Sequence, residues 1–83
     1  MIAGTVHCIS LVRHWHGHAR LDLWHAESKG VWWIELHLGP RRVFQSPGYA
    51  ELSLAEAEFA RQREALPPWY AEVVEGLEEK ESE

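Results

Sequence analysis

The feature that most limits the fold of this chain is a pair of alternating segments, ARLDLWHA at residues 19–26 and VWWIELHL at residues 31–38, separated by a turn sequence ending in Gly30. Large apolar side chains recur at every second position: Leu21 and Leu23 in the first segment, Trp32, Ile34, Leu36 and Leu38 in the second. A period of two marks an extended strand with one buried face, whereas helical faces recur every ~3.6 residues. Two such strands joined by a short turn predict an antiparallel hairpin. A two-residue turn at Lys29-Gly30 pairs Ser28 with Val31, and counting outward sets His25 opposite Ile34, Leu23 opposite Leu36 and Leu21 opposite Leu38. The second face then places Ala26 against Trp33, Trp24 against Glu35 and Asp22 against His37.

Turn signals at His16-Gly17 and Gly39-Pro40 extend the pattern to a four-stranded meander within residues 1–48. The first strand, IAGTVHCISLV, is apolar at both odd and even positions, so either Val6, Cys8 and Val12 or Ile9 and Leu11 face the core. Apolar side chains on both sides point to a sheet whose second face is also covered, by a partner. After Pro47-Gly48 the period becomes helical. Ser53-Leu-Ala-Glu56 has capping-box spacing, so a helix is expected from about Leu54 to Ala65. Pro67-Pro68 should end it, with Pro68 opening a second helix whose stripe contains Trp69 or Tyr70, Val73, Val74 and Leu77. Glu72, Glu75 and Glu78 then lie on the solvent side. The expected fold is α+β: one domain over residues 1–83, with an antiparallel four-stranded meander (1–48) packed on one face by two C-terminal helices (53–80) and a frayed tail (81–83).

Charge divides the chain at the same boundary. Residues 1–50 carry five basic and three acidic side chains, and residues 51–83 carry three basic and ten acidic, giving +2 against −7. An acidic back half disfavours direct nucleic-acid binding unless the basic groups are segregated from it. Cys8 is the only cysteine, which excludes an intrachain disulfide and a paired-thiolate metal knuckle. The start MIAGTVHCISLV lacks a basic segment before its apolar part, and no apolar run reaches the ~20 residues of a membrane span. A cytoplasmic protein that does not enter membranes is expected.

The stretch RHWHGHAR holds His14, His16 and His18 at alternate positions, the strongest metal-like feature of the chain. On an unbroken strand all three would share a face and could meet one zinc ion, but Gly17 breaks the strand between them. They remain weak candidates, and no metal or other cofactor is expected. The segment Ile9-Ser-Leu-Val-Arg13-His14 resembles the strand-end signature of histidine phosphatases. Trp15 stands where that family has glycine, and so short a chain has no room for the remaining catalytic segment. Asp22 opposite His37 would form an acid–base pair, yet no nucleophile accompanies it, so the chain is not expected to be an enzyme.

Trp24 and Trp33 fall on the face away from the helices, where exposed rings suit a partner surface. In overall plan, a strand meander followed by the acidic segments ELSLAEAEFARQREAL and PPWYAEVVEGLEEKESE resembles the small phage-encoded inhibitors called anti-CRISPR proteins. That resemblance implies a non-enzymatic protein that occludes a nucleic-acid-binding surface of a CRISPR effector or similar complex. Trp24, Trp33, Glu72, Glu75 and Glu78 are the candidate partner contacts. The alternatives are a homodimeric accessory protein built on the tryptophan face, a nucleic-acid-binding module and a histidine metal-binding protein.

Overall fold

A computed structural model describes residues 8–81, with side chains described through Gly76. Strands β1 (Cys8–His16), β2 (Ala19–Ala26), β3 (Val31–Leu38) and β4 (Arg41–Gln45) precede one helix, α1 (Leu52–Glu81). The strands form an antiparallel sheet in the order β1-β2-β3-β4. Expectations for Val6 and the chain start lie outside the described residues.

Glycine opens two of the three hairpin loops and ends the third. Gly17 and Gly39 have φ of 59° and 60°, each opening a two-residue loop closed by His16 with Ala19 and by Leu38 with Arg41. A left-handed first position matches the twist of the flanking strands and disfavours a side chain there. Gly17 has a second constraint, because a Cβ on it would collide with the Tyr70 ring from α1.

The β2–β3 connection corrects the expected register. The loop spans residues 27–30, with the amides of Lys29 and Gly30 both donating to the Ala26 carbonyl at 3.2 and 2.9 Å. Ala26 therefore pairs with Val31, His25 with Trp32, Trp24 with Trp33, Leu23 with Ile34, Asp22 with Glu35 and Leu21 with Leu36. Relative to a two-residue turn, each residue moves two places along its partner strand. A shift of two keeps every side chain on its expected face while changing its neighbour. Asp22 and His37 are accordingly not paired.

The ambiguity of the first strand has a physical explanation in a bulge between Ser10 and Val12. Before it, Ile9 lies opposite His25 and shares the helix side; after it, Val12 and His14 do, opposite Leu23 and Leu21. One extra residue inverts the parity, so neither alternation runs through the whole strand.

A single 30-residue helix replaces the two expected helices, with Pro67 and Pro68 inside it. These prolines remove amides that would serve the carbonyls of Arg63 and Glu64. All four residues are exposed, so water reaches the freed groups. Packing holds both sides of the break: Leu66 is buried, and Trp69 and Tyr70 pack against the core just beyond. The capping box is corrected too. Ser53 lies inside the first turn, and the initiating carbonyl is that of Glu51, which accepts from Leu54 at 3.2 Å and Ala55 at 3.4 Å. Tyr49 pins this start by exchanging backbone hydrogen bonds with Trp32 at 2.9 and 2.7 Å.

The core lies between α1 and the sheet, where Ala19, Leu21, Leu23, Ile34 and Leu36 meet Ala55, Phe59 and Leu66. Each fully buried leucine or isoleucine contributes ~1.5–3 kcal/mol relative to exposure. At ~1.5 Å per residue the helix is about 45 Å long, against about 27 Å for an eight-residue strand. Tyr70 already sits over the Gly17 turn at the end of the sheet, so the following part of α1 runs past it.

Candidate interaction surface

The helix covers one face of the sheet, and among the described residues no second layer covers the other. Cross-strand pairing orders this open face into rows. Nearest the Gly17 and Gly39 turns runs Trp15, Arg20, His37 and Arg42; the next row is Arg13, Asp22, Glu35 and Gln45. Ser10, Trp24 and Trp33 follow, then Cys8, Ala26 and Val31.

The second row places two carboxylates directly opposite each other, an arrangement that repels unless each is compensated. Asp22 is fully buried, its Oδ1 accepting from Arg13 Nε and its Oδ2 from Arg20 Nε, both at 2.8 Å. Glu35 accepts from Trp33 Nε1 at 2.7 Å and from His37 Nε2 at 2.9 Å. Burial by itself raises the Glu35 carboxyl pKa. The bonds from Trp33 and His37, with the nearby charges of His37 and Arg42, outweigh that effect and hold it below the ordinary 4.5.

Arg13 and Arg20 each spend only Nε on Asp22; their terminal nitrogens donate to no described residue. Trp15, at 58% exposure, lies beneath the Arg20 guanidinium, 5.9 Å from its carbon to the ring centre. Trp24 and Trp33 are half-buried cross-strand partners, and Trp24 Nε1 is buried without a hydrogen-bond partner among the described residues. A hollow of about 380 Å³ beside Trp33 is bounded by Cys8, Ala26, Val31 and Gln45.

The expected contact residues divide between two surfaces. Trp24 and Trp33 are on the open face, whereas Glu72 and Glu75 are exposed on α1, across the sheet from them. The Glu78 side chain lies outside those described. The histidines also disperse. His14 and His16 are on the helix side, His16 edge-on to Tyr70 at 5.1 Å, while the His18 amide donates to the Tyr70 hydroxyl at 3.1 Å. His25 stacks on Trp32 at 4.5 Å, and His37 is held by Glu35. Among the described residues no three potential ligands come together as a metal site.

Trp15 and the Arg13–Asp22–Arg20 cluster escaped the sequence reading. Their signal was present: counting outward from a Gly17-His18 turn pairs Trp15 with Arg20 and Arg13 with Asp22. Placing that turn one residue early hides both pairs. No family model, curated protein or solved structure matches the chain. No helix among the described residues is long and apolar enough to cross a membrane.

Proposed function

We propose that this chain is a non-enzymatic protein-interaction domain that docks its partner on the open face of the sheet. The observation that carries this reading is Trp15, 58% exposed on a face that also holds Trp24 and Trp33 and lacks a covering layer among the described residues. Aromatic and arginine side chains dominate the energetic centres of protein interfaces, and here Trp33 is oriented by its hydrogen bond to Glu35 and Arg13 and Arg20 by theirs to Asp22. The test is capture with wild type and with Trp15→Ala/Trp33→Ala. A stoichiometric partner held by the first and released by the second supports the reading; equal retention removes it.

The finer reading is a phage-type inhibitor that occludes a nucleic-acid-binding surface of a CRISPR effector. Its support is the acidic outer side of α1, with Glu72 and Glu75 exposed where the helix runs past the sheet. Adding the protein to guide-loaded effectors should block target DNA binding, and Glu72→Lys/Glu75→Lys should restore it. A nucleic-acid-binding reading also has an observation in its favour: the Arg20, His37 and Arg42 row faces away from the acidic helix. Salt-dependent quenching of tryptophan fluorescence by a single-stranded oligonucleotide would support that alternative. Sedimentation of the purified chain separates both from a homodimer formed through the same face.

A further inference from the structure

We propose that the outer edge of β1, from Val12 to His16, receives an extended acidic segment of the protein partner as a fifth strand. The inference rests on the docking reading above and names how part of that partner binds. β1 ends the sheet, and among the described residues no strand pairs with its outer side. In the two-residue hairpin closed by His16 and Ala19, the closing pair exchanges its hydrogen bonds across the two strands. Alternation then turns the amides and carbonyls of Trp15 and Arg13 outward. These groups are in the geometry an added strand satisfies.

The side chains point to the occupant. Within this stretch β1 exposes Val12 at 44% and Trp15 at 58%, while β2 and β3 expose no large apolar side chain to that degree. An edge guarded only against aggregation carries charges and hides its apolar groups. This edge presents both. Its fixed charge is positive: Arg13 is 44% exposed, with terminal nitrogens that donate to no described residue. The carboxylate paired with Arg13, Asp22, is buried beneath the two guanidiniums. Anchoring Nε on Asp22 also restricts the Arg13 side chain before any ligand arrives, which lowers the ordering cost of binding.

Geometry sets the pattern of the incoming segment. A strand added at ~4.8 Å places alternate side chains on the open face, an acidic one beside Arg13 and an apolar one beside Trp15. The intervening residues fall on the helix side, next to Val12, His14 and His16. The bulge between Ser10 and Val12 interrupts the regular edge and limits the added strand to the part beyond it. A nucleic-acid backbone matches the charge but not the alternating donors and acceptors of the strand edge.

The test uses the whole chain with an oligothymidylate and with three synthetic peptides whose open-face positions, two residues apart, alternate valine with aspartate, with lysine or with serine, the intervening positions being threonine. The aspartate peptide should bind most tightly, weaken about tenfold between low and high salt, and slow amide exchange at Arg13 and Trp15 by about tenfold or more. Arg13→Glu should abolish binding. Exchange protection in the unmodified chain decides the matter independently of that variant's folding. Equal affinity for the lysine peptide, tighter binding of the oligothymidylate, or failure of every peptide would overturn the inference. Peptide-induced changes at Trp24 and Trp33 without protection at Arg13 and Trp15 would also overturn it, while leaving open-face docking intact.

Discussion

The two faces of this sheet solve burial in different ways. On the helix side, Leu21, Leu23 and Ile34 are buried against Ala55, Phe59 and Leu66, a contact that depends on shape and excluded water. On the open face, Asp22 is equally inaccessible, but guanidiniums that themselves remain partly exposed bury it. The difference separates stability from recognition. An apolar contact is lost when its layer is removed, whereas a charged cover already in contact with solvent can engage a partner without unfolding the sheet.

The sharpest way to break this comparison is to cut equally into both faces. Ile34→Ala leaves a cavity under α1 and should cost ~2–5 kcal/mol in denaturant unfolding. Asp22→Asn keeps the volume but replaces one acceptor by a donor facing an arginine, for an expected loss of ~1–3 kcal/mol. An Asp22→Asn loss exceeding that of Ile34→Ala would make the ionic face the principal stabiliser. Glu35 gives a smaller, pH-dependent effect. Its folded pKa is depressed, so its contribution is fully present above the ordinary 4.5 and disappears as pH falls through the lower folded value. The stability difference between wild type and Glu35→Gln should therefore be constant near neutrality and shrink on acidification; a difference independent of pH would remove Glu35 from the account. Smallest of all, Trp15→Ala should change stability by no more than ~0.5 kcal/mol, since its ring is mostly in water. A large loss would place Trp15 in the structural core and weaken its assignment to the docking surface.

The two faces also differ in how clearly the sequence reveals them. Alternation identified the helix side of β2 and β3 correctly, because Leu21, Leu23, Ile34 and Leu36 are determined by parity alone. Parity does not determine pairing. The loop at residues 27–30 moved each partner by two, bringing Trp24 to Trp33 and Asp22 to Glu35, and separating Asp22 from His37. Much of the candidate surface was hidden by such displacements: each of its four rows contains a β1–β2 pair, and the position of the β1–β2 turn decides whether Arg13 meets Asp22. Trp24 and Trp33 were legible as open-face residues; Trp15, the most exposed of them, was not.

By itself the sequence determined four strands ahead of a helical segment, the two periods, the glycines at the turns and the segregation of acidic residues into the helical half, because each follows from local geometry or composition. Only tertiary structure decided that α1 continues through Pro67-Pro68. The local cost of two prolines is real, but Leu66 buried before them and Tyr70 seated on the Gly17 turn beyond them hold the chain in one direction. The ionic cluster depends on the same kind of long-range placement. Asp22 can be buried as a charge because a turn returns Arg20 beside Arg13, an arrangement set by register rather than by either segment alone.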